Sequence, residues 1–265
     1  QFQEGQQMMA SYTRRIDRPR GYFLEPFQTW TDAYNVRIGN PALKPEYIDS
    51  YETGYQTYFG KNVFSTEFYY RVNHNKIERI RSVYDTNITL HSIKNVGTDY
   101  SFGSELMLNM DVLKRWNVNL MGNIYQYRID AAYADESFSR ESFNWSARFN
   151  NSIKLGKVTQ VQINGIYNSP TVSSQGRREG FFMTNFAVKQ EILKNQLSAT
   201  LQIRDIFNTG RFEYTSEATN LYSYSYHTHE APVVMLNIRY TINNYKARPE
   251  QRGNPGEGME DGEEF

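Results

Sequence analysis

The sequence predicts an all-β chain: the antiparallel up-and-down portion of a transmembrane β-barrel, about ten strands, with a disordered acidic tail at its C-terminus. Three observations carry that prediction. Apolar and polar residues alternate with a period of two along most of the chain. Short and long connections alternate between the repeats, as in outer-membrane barrels, whose periplasmic turns are short and external loops long. Aromatic residues, including 21 Tyr and 16 Phe, make up 15% of the chain, well beyond the needs of a generic soluble core.

The elements follow in order. Met8 to Tyr12 is the first and weakest repeat. Tyr51, Thr53, Tyr55, Thr57 and Phe59 share one face of the second, and Phe64, Thr66, Phe68 and Tyr70 one face of the third. Leu106, Leu108, Met110 and Val112 mark the fourth. In the fifth, Trp116, Val118, Leu120, Gly122 and Ile124 oppose Asn117, Asn119, Met121 and Asn123. Phe143, Trp145, Ala147 and Phe149 come next, then Val161, Ile163, Gly165 and Tyr167 against Gln160, Gln162, Asn164 and Ile166. Phe182 to Val188, Leu197 to Ile203 and Val234 to Ile242 complete the ten.

Four connections are tight: Gly60-Lys61-Asn62, Leu113-Lys114-Arg115, Gly156-Lys157 and Lys194-Asn195. Each joins strands that alternate cleanly up to the turn, as hairpins do. Five others, at roughly 18–47, 85–90, 130–142, 169–180 and 209–221, are longer or irregular. A soluble sandwich has Greek-key crossings and no reason to sort its loops this way. Trp116 beside a tight turn, and Trp145 and Tyr167 toward the long loops, suit the aromatic girdles of a membrane barrel. Tyr222, Tyr224 and Tyr226 share the lipid-side parity of Val234 to Ile242 if the final strand runs unbroken past Pro232. Opposite faces carry Glu105, Arg148, Arg204 and Arg239 among Asn, Gln, Ser and Thr, which suits a water-filled or plugged lumen.

Composition narrows the function. With 29 basic and 29 acidic residues there is no electrostatic case for nucleic acid. The absence of cysteine excludes a disulfide framework, a thiolate metal site and a cysteine nucleophile. A mean hydropathy of −0.71, without an apolar run near 18 residues, excludes transmembrane helices but not a barrel, whose strands average out hydrophilic. The polar start, Gln1 to Gln7, has no basic segment leading into an apolar one. The chain is therefore expected to be a C-terminal piece of something longer. Its barrel portion is expected over 1–245, and a disordered periplasmic tail rich in Gly, Pro and Glu over 246–265.

Three segments resemble a known family. Tyr12-Thr13-Arg14-Arg15-Ile16-Asp17-Arg18-Pro19 is similar to an element of TonB-dependent receptors from the Bacteroidota. Gly39-Asn40-Pro41-Ala42-Leu43-Lys44-Pro45-Glu46, followed by Asp49-Ser50-Tyr51-Glu52-Thr53-Gly54-Tyr55, resembles an element of these receptors more widely. Asp205-Ile206-Phe207-Asn208-Thr209 looks like their element before the last external loop. The resemblance implies a 22-stranded barrel plugged by an N-terminal domain and energised through TonB, of which this chain supplies the last ten strands. It implies import of a siderophore, vitamin, glycan or peptide across the outer membrane, with no enzymatic activity and no cofactor. The implied partners are outer-membrane lipid, the imported ligand, and the TonB complex through an N-terminal part that this chain lacks. A passive or structural barrel is the alternative, and a soluble carbohydrate-binding β-protein a further one.

Dinucleotide, P-loop and nucleophile-elbow patterns are absent. No catalytic, cofactor or metal residue is assigned, and the ligand-binding residues stay unassigned. His227 and His229 fall on one face of the final strand, but His74 and His91 are distant in sequence and no further ligand set accompanies them. Arg14, Arg15 and Arg18 either pair with lumenal acids such as Glu52 and Glu67 or bind an anionic ligand. Arg177 and Arg178, in a long loop, are either solvated or bound to lipopolysaccharide phosphates. Lys61, Lys114, Lys157 and Lys194 terminate strands at the short turns. Pro41 and Pro45 stiffen the first long loop. Its aromatics, Tyr22, Phe23, Phe27, Trp30 and Tyr34, either pack as a lid on the barrel mouth or stack on a sugar or siderophore.

Overall fold

The computed structural model describes residues 5–133, 136–193, 196–218 and 221–242. The expected tail, 246–265, lies outside the described residues. In chain order the strands are β1 (Gln6–Asp17), β2 (Thr29–Asp32), β3 (Asn35–Arg37), β4 (Glu46–Phe59), β5 (Asn62–Asp85), β6 (Ile88–Leu113), β7 (Trp116–Tyr133) and β8 (Glu136–Leu155). They continue as β9 (Thr159–Asn168), β10 (Thr171–Val172), β11 (Gly176–Arg178), β12 (Phe181–Leu193), β13 (Leu197–Arg204), β14 (Arg211–Ala218), β15 (Leu221–Thr228) and β16 (Val233–Tyr240). Ten of them form one wall, in the order β1-β4-β5-β6-β7-β8-β9-β12-β13-β16. Every neighbouring pair in that wall is antiparallel. The up-and-down reading of the sequence is thus the architecture found.

Turn chemistry explains one end of the wall. Gly60 and Gly156 have φ of 66° and 75°, the left-handed backbone that lets a hairpin reverse within a few residues. Lys61, Lys114 and Lys157 sit at these short turns as expected, while Lys194 falls outside the described residues. The other end differs from expectation. A membrane-spanning strand needs about 9–11 residues, yet β5 has 24, β6 has 26, β7 has 18 and β8 has 20. The predicted loop at 85–90 and the described parts of the one at 130–142 are instead continuations of these strands, with β5 and β6 reversing at Thr86-Asn87. Outside the membrane neither face has to meet lipid, so the period-two contrast that marks a strand fades there.

A second difference concerns the last predicted strand. Tyr222, Tyr224 and Tyr226 belong to β15, which pairs with β14 rather than continuing into β16. Pro232 lies in the break, and it has no N–H to offer a ladder. Strands β10, β11, β14 and β15 make a separate small sheet at the extracellular end.

Side-chain parity sets the depth of the membrane. Tyr12, Tyr51, Tyr70 and Phe102 stand in direct register across β1, β4, β5 and β6. Ring centroids are 4.9 Å apart for Tyr12 and Tyr51, and 6.3 Å for Tyr51 and Tyr70. The belt resumes where Trp145 meets Tyr167 at 4.3 Å and Phe182 meets Phe207 at 6.4 Å. Between this belt and the short turns, Leu106, Leu120, Ile124, Leu201 and Leu236 are exposed on the outward face. Aromatic residues at the interface with aliphatic residues between them form the lipid-facing surface of a barrel. Beyond the belt the arm closes on a small core of Ile80, Val96, Ile129 and Ala131, against which Tyr127 and Phe138 pack.

Candidate functional site at the lumenal face and the extracellular end

Opposite the lipid-facing side, the wall presents polar residues. Glu67 of β5 and Glu105 of β6 stand directly across from each other, a like-charge pairing that is unfavourable by itself. Arg71, two positions further along the same face from Tyr69, serves the acids. Its guanidinium lies 3.0 Å from Glu52 Oε1 and 3.8 Å from Glu67 Oε1, and 4.1 Å above the Tyr69 ring. Ser50 Oγ donates to Glu52 at 2.8 Å, and Tyr69 donates to Asn123 Oδ1 at 2.9 Å. Glu105 has no ion-pair partner among the described residues. Gln56, Glu67, Glu105, Met121, Asn123 and Arg148 help to line a hollow of about 570 Å³ on this face.

The arginine expectation needs correcting. Arg14 pairs not with Glu52 or Glu67 but with Asp49, at 3.7 Å. Tyr12 also donates to Asp49 at 2.8 Å, and His74 Nε2 lies 3.4 Å from it. Arg14 shares the parity of Tyr12 and so stands on the outward face, where Asp49 also points. The lumenal ion-pair partner is Arg71, which sequence reasoning passed over although Glu67, Tyr69 and Arg71 lie on one side of β5, while Arg15 does act on Glu52 as a nearby charge.

The first long loop is fastened to the β5–β6 arm by the residues that carried the second resemblance. Asn95 acts as a piece of backbone. Its Oδ1 accepts the Lys44 N–H at 2.9 Å, while its Nδ2 donates to Lys44 O at 2.9 Å and to Asn75 O at 2.7 Å. Glu46, buried, accepts from Asn73 Nδ2 at 3.0 Å and from the Ile77 N–H. A Cβ on Gly39 would lie 2.5 Å from Glu25 O, so only glycine permits this close passage of two backbones. Further along the chain, Asp205 organises the turn of the third resemblance. It accepts the Thr209 and Gly210 N–H groups at 3.0 and 2.8 Å, and both Asp205 and Asn208 take positive φ, 48° and 52°.

The small sheet leans on the same arm. Gln175 exchanges hydrogen bonds with the backbone of Arg81 at 2.8 and 3.2 Å. The Arg81 guanidinium donates to Ser223 Oγ at 3.0 Å and lies 5.4 Å over Tyr214. Glu78 accepts from the Ser174 N–H at 3.0 Å and from its hydroxyl. Arg177 is engaged by Glu179 at 2.9 Å. His227 lies near the end of β15 rather than on the final strand, and His229 packs edge-on to Phe212 at 6.2 Å.

Of the loop aromatics, Trp30 packs edge-on to Tyr84 at the tip of the arm, 6.2 Å between centroids, while Phe27 and Tyr34 are exposed. Tyr22 meets Phe23 at 4.4 Å and lies under Arg37, 5.7 Å from its guanidinium carbon. These rings do not gather into one lid. Strand β3 adds to β6 in parallel, pairing Asn35, Val36 and Arg37 with Thr89, Leu90 and His91. Between hairpin and arm lies a cavity of about 330 Å³ lined by Tyr22, Thr31, Arg37, Arg79 and His91.

An antiparallel wall with a lipid-facing belt, a polar inner face and loops sorted to one end is that of an outer-membrane β-barrel. The chain matches the model of the outer membrane protein beta-barrel family over residues 1–240 and belongs to that family. No curated protein matches it. Among solved structures it is similar to the siderophore receptor PirA from Pseudomonas aeruginosa, with a TM-score of 0.57 and 13% identity, covering 79% of this chain and 38% of that one. It is also similar to the Q482A mutant of the ferric enterobactin receptor PfeA from Pseudomonas aeruginosa, in complex with enterobactin, with a TM-score of 0.53 and 14% identity, covering 79% and 34%. The matched segment thus spans little more than a third of these receptors, and the likeness is one of fold.

Proposed function

We propose that the chain is the C-terminal barrel portion of a TonB-dependent outer-membrane receptor of the Bacteroidota type, which imports a ligand captured at its extracellular end. One observation carries the reading. Strands β1 and β16 each have a partner on one side only among the described residues, and each unpaired backbone group in lipid costs several kcal/mol. The wall therefore calls for further strands, as in the larger receptors it resembles. The lumenal acids support a plugged rather than an open barrel, because Glu105, set against Glu67, has no ion-pair partner among the described residues of the wall, whereas Glu67 has Arg71. Binding and gating take the place of covalent chemistry.

The test is uptake by cells with and without the full-length gene, using radiolabelled ferric siderophores, vitamin B12 and oligosaccharides as probes. We expect one class of probe to depend on the gene and to stop entering when TonB is deleted. Gene-dependent entry that persists without TonB overturns the reading in favour of a passive barrel.

A further inference from the structure

We propose that the cavity between the β2–β3 hairpin and the β5–β6 arm binds an oxyanion, the carboxylate or phosphate group of an extracellular ligand. This rests on the reading of that end as the receiving face, and it names a chemistry for it.

Two of the arginines around the cavity have no carboxylate at ion-pair distance among the described residues. Arg14, Arg71, Arg128, Arg177 and Arg211 each have a carboxylate within ion-pair distance. Arg37 and Arg79, which line the cavity, have none among the described residues. The nearby acid, Asp32, keeps its charge but directs its oxygens at neutral donors rather than at either guanidinium. Its Oδ1 accepts the Tyr34 N–H at 2.7 Å, and both its oxygens lie 2.9 Å from Asn35 Nδ2. That commitment orients the Asn35 amide, so its Oδ1 is the atom 2.8 Å from His91 Nε2. An amide oxygen only accepts, so His91 donates from Nε2 and keeps Nδ1 for another partner.

A guanidinium is a planar fork that meets carboxylate or phosphate through two parallel hydrogen bonds. Two such forks, with the Thr31 hydroxyl and the Tyr22 ring on the same lining, suit an anionic group carried on a larger body. At about 330 Å³ the cavity is at the lower end of ligand pockets, room for that group rather than for a whole siderophore-sized molecule. The oxyanion has two sources, a soluble ligand or a sugar phosphate of lipopolysaccharide, and the chemistry is shared.

The experiment is calorimetric titration of citrate and of inorganic phosphate into the full-length protein in detergent. Wild type is compared with Arg37→Ala, Arg79→Ala, the double variant and Arg37→Lys, each checked for folding by heat-modifiable gel migration. We expect roughly tenfold weaker binding for each single alanine variant, loss in the double variant and partial recovery in Arg37→Lys. Copurified lipopolysaccharide phosphate is assayed in parallel. Its loss in the double variant, without citrate binding by wild type, supports the oxyanion site and assigns the source to the membrane surface. Should the double variant bind like wild type, or should wild type bind neither probe while both retain equal lipopolysaccharide, the proposal is overturned. Arg79 is exposed, so the Arg79→Ala arm stands even if substitution at Arg37 impairs folding. Binding in detergent needs no TonB, so a negative result here leaves the uptake test intact, and the reverse holds.

Discussion

His91 stands on the part of β6 that projects beyond the aromatic belt, and its surroundings oppose a second proton. Burial pushes its imidazole below the usual range, Arg81 and Arg79 push the same way, and Asp32 pulls against them. Arg37 and Tyr22 complete the groups around it. A bound oxyanion reverses the balance, because it favours the charged ring. Oxyanion binding should therefore take up a proton, and affinity should rise as pH falls from about 7.5 through the depressed His91 pKa. Sulfate, whose own charge is constant there, is the probe, and titrations from about pH 7.5 to about pH 5 should show a slope that His91→Gln abolishes. A slope unchanged in that variant assigns the proton elsewhere. Asn95 makes a different prediction. Its side chain holds the backbone of Lys44 and Asn75, and each hydrogen bond removed from such a group costs about 1–3 kcal/mol. Asn95→Ala should thus expose 18–45 to limited proteolysis while leaving the wall resistant. Uncut wild type and uncut variant alike would show that Asn95 is not the fastening.

Individual strands were legible where they meet lipid and obscure where they do not. Trp116 to Ile124 and Thr159 to Tyr167 alternate because one face touches hydrocarbon and the other touches the lumen. The stretch from Lys76 to Ser82 lacks the clean alternation of Phe64 to Tyr70 although it continues the same strand, since the upper part of β5 packs against the small sheet and the first loop instead of lipid. The tyrosines of β15 misled for the same reason: alternation marks a strand without saying which sheet takes it. Arg71 was missed because its partners arrive from β4 as well as its own strand, and only register reveals that. The two faces of β6 make a paired prediction. Leu106→Arg puts a charge on the lipid side, which costs about 2–4 kcal/mol near the midplane of a barrel. Glu105→Arg, one residue away on the lumenal side, should leave stability unchanged or improved because it ends the opposition to Glu67. Urea unfolding of the full-length protein in lipid vesicles measures both. Equal penalties would contradict the facing assigned here.

At the scale of the molecule, the wall sorts its work by height: short turns at one end, lipid-facing aliphatics between, and a folded superstructure at the other. That superstructure is built on the long arm of β5 and β6. Where β7 stops pairing with β6 at Gly97, β3 takes the vacated edge further out, at Thr89 to His91. The first loop is thereby stitched to the wall through main-chain hydrogen bonds, among them Thr89 N–H to Tyr34 O at 2.8 Å and Ile38 N–H to His91 O at 3.0 Å. Such a loop does not swing. Capture at its cavity has no closure step to wait for, so arrival should follow the frequency of encounters, helped by the local positive charge. How long a guest stays then depends on how fast it lets go.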